Sequence, residues 1–301
     1  MTKPVIKSHI TLAEALQFGV KQLSDSKSAK LDSEILLLKV LNDNSALSDA
    51  KPKTKTWLFT WPENTLTAEQ FQQFSHYLNK RSEGMPIAYI TGKKDFWTLT
   101  LAVTSDTLIP RPETELLVEC ALEKISPAGK LKLLDLGTGS GAIALAIASE
   151  RSNIDILATD ISEAALKVAQ KNAATQQLSN VSFCLSHWFD AIPKQTFDLI
   201  VSNPPYIAEH DLFLEENVKK YEPLSALHSA AEGLSDISQI ISQCRNYLKP
   251  GGWLLFEHGY DQAQAVQSLL KKSEFTQIAT IKDLNHLPRV TLAHMPASCP
   301  K

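Results

Sequence analysis

From Lys132 onward the chain alternates short apolar runs with helical segments, and this alternation limits its possible folds more than any other feature. Residues 133–134 are expected to form a strand, 135–141 a turn and 142–148 a helix. Residues 154–158 make a second strand that ends at Asp160, followed by a helix over 164–173. Third and fourth strands are expected at 181–184 and 197–201. A helix over 237–248 then leads through Lys249-Pro250-Gly251-Gly252 into a strand at 253–256. The last helix carries Ala265, Val266, Leu269 and Leu270, and two final strands cover 276–281 and 289–294. Seven strands connected in this way imply an α/β fold with a doubly wound, mostly parallel sheet, whose closing pair can insert antiparallel. Ligands of such a sheet bind at the carboxyl ends of its strands.

The segment before this region reads differently. Residues 1–80 have the pattern of a small helical domain, suited to packing or docking. Thr11-Leu12-Ala13-Glu14 has the form of a capping box, and Thr67 with Gln70 repeats it ahead of Phe71, Phe74, Tyr77 and Leu78. Asp32-Ser33-Glu34 is expected to open a helix over the run that begins Ile35-Leu36-Leu37-Leu38. Residues 49–62 look like a loop. Residues 81–109 form a linker in which 88–92 and 98–103 are expected to pair as a hairpin bridging the two domains. The catalytic-type domain then spans 110–301. At its start, Arg111 sits between Pro110 and Pro112, which suits either an interdomain ion pair or a functional role.

Composition narrows the class. Of 301 residues, 44% are hydrophobic and 21% charged, as in a water-soluble globular protein. No run approaches the roughly 18 apolar residues of a membrane span, and no apolar segment follows Met1-Thr2-Lys3-Pro4. The four cysteines are widely spaced, without zinc-binding intervals, so no metal is expected and a cytoplasmic location is. Residues 1–104 hold 13 Lys/Arg against 10 Asp/Glu, and the remainder 17 against 23. An acidic larger domain disfavours a nucleic-acid substrate.

Three motifs carry the chemistry. Asn203-Pro204-Pro205-Tyr206 directly follows the apolar run 197–202. Two prolines end the strand abruptly and leave rigid carbonyl acceptors at its tip, beside a carboxamide and an aromatic ring. Such a tip can accept both hydrogens of an amino group and cover it with a ring face; an ordinary Pro-rich turn is the plainer reading. Gly137-Thr138-Gly139-Ser140-Gly141 follows a strand and opens a helix, allowing close approach of a ligand. Its spacing is GxGxG, not the GxGxxG of a pyrophosphate site, and Asp135 beside it would repel a diphosphate and attract a cation. Asp160 lies 19 residues after Gly141 at a strand end, where a carboxylate can accept from two ribose hydroxyls. Together these favour a positively charged adenosyl compound over a nicotinamide dinucleotide.

On these residues the C-terminal two-thirds resembles a class I S-adenosylmethionine-dependent methyltransferase acting on a planar nitrogen. The whole chain resembles the bacterial release factor glutamine methyltransferases. The matching pieces include Pro86-x-Ala88-Tyr89-Ile90-x-Gly92, Phe96-Trp97, residues 108–115, the glycine loop, Asp160-Ile161-Ser162, residues 197–207 and Glu222-Pro223. The Pro-Arg-Pro-Glu-Thr run is the discriminating one. The resemblance implies that residues 137–141, Asp160, Trp188 and Asn203 bind S-adenosylmethionine. It also implies that residues 203–206 hold the glutamine of the Gly-Gly-Gln loop of class I peptide chain release factors. Tyr206 and Phe96 are candidates to wall the channel, core packing being the stronger reading for Phe96, and Arg111 is a candidate substrate contact. A monomer acting on protein, without direct contact to nucleic acid or membrane, is expected. Two positions depart from the family pattern: His187 replaces an Asp before Trp188-Phe189, and His286 stands where glycine is common, so a different local turn is expected there. An exocyclic base amine in DNA or RNA and a ribosomal-protein glutamine are the alternative substrates. A non-catalytic scaffold and a nicotinamide-dependent oxidoreductase are the rival classes.

Overall fold

The computed structural model describes residues 10–43, 51–126, 129–208, 210 and 216–297. The chain divides into two compact units, Met1–Gly92 and Lys93–Lys301.

In the first unit a two-residue strand β1 (Ile10–Thr11) pairs antiparallel with β2 (Thr65–Leu66), and five helices surround one core. They are α1 (Leu12–Gln22), α2 (Ala29–Asp43), α3 (Lys55–Thr60), α4 (Ala68–Ser82) and α5 (Ile87–Thr91). Both expected capping boxes form: Glu14 N–H donates to Thr11 Oγ1 at 3.2 Å, and Gln70 N–H to Thr67 Oγ1 at 3.2 Å. Leu36, Leu37, Val40, Phe74 and Leu78 fill the core. Two expectations fail here. The helix expected to open at Asp32-Ser33-Glu34 begins at Ala29, so these polar residues lie buried inside α2. Each has a partner: Asp32 pairs with Arg81 at 2.8 Å, Glu34 with Lys55 at 2.7 Å, and Ser33 Oγ donates to Ala29 O at 2.7 Å. The supposed loop before Pro62 contains α3, capped by Thr54 and anchored by buried Leu58.

The expected strand at 88–92 is also corrected. It is helix α5, bounded by Pro86 at its N-cap and by Gly92 in the left-handed conformation at φ +71°. The hairpin forms later, between β3 (Lys93–Phe96) and β4 (Leu99–Ala102), and belongs to the second unit.

The second unit is a seven-stranded sheet. Its strands are β5 (Lys132–Leu136), β6 (Asp155–Asp160), β7 (Val181–Leu185), β8 (Phe197–Ser202), β11 (Leu248–Glu257), β12 (Thr276–Lys282) and β13 (Pro288–His294). Between β8 and β11 lie the parallel two-residue pair β9 (Ile207–Ala208) and β10 (His228–Ser229). The order is β12-β13-β11-β8-β5-β6-β7, parallel except where β13 runs antiparallel between β11 and β12. Helices α6 (Glu115–Lys124), α7 (Ala142–Glu150), α8 (Glu163–Thr175), α9 (Glu216–Tyr221), α10 (Ala230–Gly233), α11 (Ser235–Cys244) and α12 (Ala263–Lys272) complete the unit. The central strands are buried on both faces, and two apolar clusters result. One is built around α6, α7 and the hairpin, the other around α11 and α12. After β7 the chain crosses β5 to lay down β8, so the strand order reverses between β5 and β8. The crevice at such a switch point is where ligands of this architecture bind.

Candidate active site

Three strand ends meet at this switch point. After β5, the glycine loop is tied to its own strand and to β6: Thr138 Oγ1 donates to Asp135 Oδ2 at 2.6 Å, and Thr138 N–H to Thr159 O at 2.8 Å. Gly141 caps α7 at φ +85°, and a Cβ there would lie 3.0 Å from Leu145 and 3.2 Å from Ala169, so only glycine lets α7 pack this closely. At the end of β6, Asp160 accepts from Gly139 N–H at 2.8 Å and from Ser162 N–H at 2.9 Å. Its carboxylate therefore shapes the loop while also facing a cavity.

That cavity has a volume of about 570 Å³, within the range of small-molecule sites. Gly137, Gly139, Asp160, Trp188 and Asn203 line it; Thr138, Ser140 and Gly141 support the loop without lining it. Residues 105–108, Pro223, Ser225, Ala226, His228 and Asp236 close the far walls; of these only Leu108 and Pro223 fall in pieces singled out in the sequence, and the rest carry no recognisable spacing. Trp188 is buried at a positive φ of 46° and donates from Nε1 to Asp236 Oδ1 at 3.1 Å. His187 lines the cavity and bonds Asp190 at 3.3 Å. Among the described lining residues are three aspartates, Asp106, Asp160 and Asp236, and no Lys or Arg. Burial raises the Asp160 carboxyl above its usual range. A diphosphate would meet only like charge here, whereas an adenosyl sulfonium with its ammonium group is matched in sign.

A smaller cavity of about 210 Å³ adjoins the first through Leu108, Asn203 and Ala226. Arg111, Pro204, Tyr206 and Glu257 also line it. Tyr206 O–H donates to Glu257 Oε1 at 3.2 Å, and Asn203 Nδ2–H to Thr114 Oγ1 at 3.3 Å. Burial and the neighbouring Glu257 charge push the Tyr206 phenol well above its usual value. The Tyr206 carbonyl accepts from Gln262 Nε2 at 2.9 Å and lies where a Gly233 side chain would have to sit. Pro205 faces the larger cavity.

Several expected placements change. Phe96 does not wall the site: it is 1% exposed and packs in the hairpin core against α6 and α7. Among the described residues Arg111 pairs within the second unit: Nη2 donates to Glu222 Oε1 at 2.6 Å, while Glu222 Oε2 accepts from Ile109 N–H. His286 adopts φ +61°, a left-handed conformation that glycine takes more readily than histidine. His258, by contrast, has the structural role its sequence position favours, held between Gly259 O and Thr291 Oγ1, with burial lowering its pKa.

Comparison with known proteins agrees with this geometry. Residues 128–291 match a family model described as a methyltransferase domain, and residues 14–92 one described as the PrmC N-terminal domain. The chain is 44% identical over 282 residues to the release factor glutamine methyltransferase of Shewanella oneidensis, covering 93% of this chain and 95% of that one. To the enzyme of that name from Escherichia coli K12 it is 43% identical, with coverages of 92% and 96%. Its fold is similar to that of a methyltransferase from Pyrococcus furiosus (TM-score 0.50, 19% identity, covering 75% of this chain and 98% of that one). With both units matched and identity above two-fifths along nearly the whole length, the chain belongs to the release factor glutamine methyltransferase family.

Proposed function

We propose that this protein transfers a methyl group from S-adenosylmethionine to the side-chain amide nitrogen of the glutamine in the Gly-Gly-Gln loop of peptide chain release factors. The observation that carries this reading is the adjacency of the two cavities at Asn203. One is lined by acids without a cation; the other presents the carboxamide, carbonyls and aromatic ring of residues 203–206. S-adenosylmethionine supplies a methyl group already activated on a sulfonium.

Residues 137–141, Asp160, Trp188 and Asn203 hold that cofactor, with Asp160 accepting from the ribose diol and the Gly137 and Gly139 backbone giving close approach. The smaller cavity takes the glutamine side chain. There Asn203 Oδ1 and the Pro204 carbonyl each accept one amide N–H, which fixes the nitrogen and leaves its lone pair free to face the methyl. Positive charge develops on the nitrogen as the thioether S-adenosylhomocysteine leaves, so both bonds become charge-assisted, and the N-methyl amide then readily loses its extra proton to solvent. Such bonds are worth about 1.5–3 kcal/mol each, against about 1 for neutral ones. The strengthening between ground and transition state is what accelerates the reaction, and holding the reactants together contributes on the order of 7–11 kcal/mol. Tyr206 walls the channel, and Arg111, locked on Glu222, forms part of its rim. The first unit serves as a docking module for the release factor, the partner being protein and not nucleic acid, with a cytoplasmic monomer as the working form. Among the described residues no helix is long and apolar enough to cross a membrane.

The test is incubation with labelled cofactor and release factor, followed by peptide mass spectrometry. A single methyl on the Gly-Gly-Gln glutamine is expected. Asn203→Ala should abolish transfer while cofactor binding, followed by calorimetry, is weakened but measurable. Methylation of DNA or RNA in place of the glutamine, or full transfer by the variant, would overturn the reading.

A further inference from the structure

Two segments outside the seven-stranded sheet contribute walls to both cavities. One is residues 105–111, between β4 and α6; the other is residues 222–227, between α9 and β10. Leu108 from the first and Ala226 from the second line both cavities. The segments are tied together at Glu222, whose side chain is 1% exposed. Glu222 Oε1 accepts from Arg111 Nη2 at 2.6 Å, and Oε2 accepts from Ile109 N–H at 3.2 Å. Prolines stiffen both sides of this tie. Arg111, between Pro110 and Pro112, is held extended at φ −95° and ψ 145°. Pro223 directly follows Glu222 and leads into the 3₁₀ turn Leu224–Ala226.

We propose that Glu222 is a positioning residue that clasps these two walls together and so sets how long the cofactor stays bound. The strand ends that carry the glycine loop, Asp160 and Asn203 are fixed by the ladder of the sheet. The two wall segments have no place in that ladder, so their positions depend on local ties. Residues 222–227 are anchored at one end to β9, where Ile207 N–H donates to Leu227 O at 2.9 Å. Glu222 anchors the other end, on residues 109–111. Both of its oxygens are used, by one backbone donor and one guanidinium, and only a carboxylate offers two such acceptors. The Arg111 side chain is 35% exposed, so the pair can part on its solvent side without the core unpacking first. With the walls apart the cavity no longer fits its ligand, and apparent affinity falls in proportion to the closed fraction.

Glu222→Gln tests the clasp. Its one carboxamide oxygen can satisfy Arg111 or the Ile109 N–H but not both, and its NH₂ then confronts the other donor. Kd for S-adenosylhomocysteine, from calorimetry, should rise about tenfold or more, the size expected for one hydrogen bond to a charged group. The rise should lie in the release rate, read by stopped-flow fluorescence, with association changed less than about threefold. Arg111→Lys keeps the charge but not the fork, so its release rate should fall between the two, and it carries the test if Glu222→Gln does not fold. Hydrogen exchange of the ligand-free protein gives a second readout. The Thr107, Ile109, Ala226 and Leu227 amides should quicken by a larger factor than those of β5 and β8. A merely structural ion pair would lower the urea midpoint, quicken all these amides by one factor and leave release from the folded protein unchanged. An unchanged release rate, or uniform quickening of exchange, would therefore each overturn the inference. The clasp rests on the cofactor site proposed above. Wild-type protein that binds no S-adenosylhomocysteine would fault that site, with the exchange pattern still deciding whether Glu222 holds the walls together.

Discussion

Replacing Asp160 by Asn tests how the glycine loop and the cofactor cavity are coupled. The wild-type carboxylate accepts two backbone N–H groups, Gly139 at 2.8 Å on one oxygen and Ser162 at 2.9 Å on the other. A carboxamide has only one acceptor oxygen, so whichever way it turns, its NH₂ confronts one of these donors. Leaving a buried donor unsatisfied costs about 1–3 kcal/mol, part of it taken up by relaxation of the loop. On the cavity side, a charge-assisted bond to the ribose diol becomes a neutral one, a further loss of about 1 kcal/mol. With about 2–3 kcal/mol falling on binding, the Kd for S-adenosylhomocysteine should rise about 30- to 150-fold. The pH profile adds a second signature. Burial holds the Asp160 carboxyl above its usual range, and the ionised form binds the diol better, so wild-type affinity should increase as pH rises through that raised pKa. Asp160→Asn has nothing to titrate there and should be flat. Isothermal calorimetry from acid to neutral pH measures both quantities. An Asn variant that binds within about threefold of wild type, or keeps the wild-type pH profile, would refute the coupling.

Three further outcomes follow from the same structure. A Cβ at Gly233 would lie 2.0 Å from the Tyr206 carbonyl oxygen, at a φ of +79°, so Gly233→Ala should cost about 3 kcal/mol or more in urea unfolding; an unchanged midpoint would contradict the packing described. Arg111→Ala strands Glu222, whose side chain is 1% exposed, and should cost about 2–3 kcal/mol, with Arg111→Lys intermediate; activity lost at full stability would mean that Arg111 acts on the substrate alone. Burial raises Asp135 from 3.8 to about 7, so over that window the native state holds a proton the unfolded chain has released. Wild-type stability relative to Asp135→Asn should therefore fall as pH rises from about 4 to 7, by about 4 kcal/mol in all, and a pH-independent difference in unfolding free energy would show that the carboxyl is not held protonated.

The strand runs were legible because both faces of the central sheet are buried: Leu199, Ile200 and Val201 are exposed by 3% or less, and periodicity gives way to a continuous apolar run. Where local composition and punctuation disagreed, punctuation won. Residues 88–92 carry the Tyr, Ile and Thr of a strand, but Pro86 and left-handed Gly92 bound a helix. Asp32-Ser33-Glu34 looked like a helix start because their partners, Arg81 and Lys55, are 49 and 21 residues distant, and no short-range rule reveals such pairs. Phe96 was misplaced for the opposite reason: its neighbourhood matched a functional motif, yet the ring serves the core beneath it.

At the site, the residues found from sequence were those inside motifs that leave a signature, the glycine loop, the prolines and the acid, amide and rings set beside them. Those missed lie outside such motifs. Glu257 nonetheless carried a readable signal, the same one that exposed Asp160: an acid closing a buried apolar run. Asp160 ends β6, Glu257 ends β11, and Asp135 stands one residue before the end of β5. Burying three carboxyls along one edge of a sheet is expensive, and stability gains nothing from it that apolar residues would not supply better. Of the three, Asp160 lines the larger cavity and Glu257 the smaller, where fixed oxygen acceptors suit an adenosyl cation and an amino group better than a diphosphate. The placement of these acids, more than the glycine loop they accompany, separates this sheet from a dinucleotide-binding one.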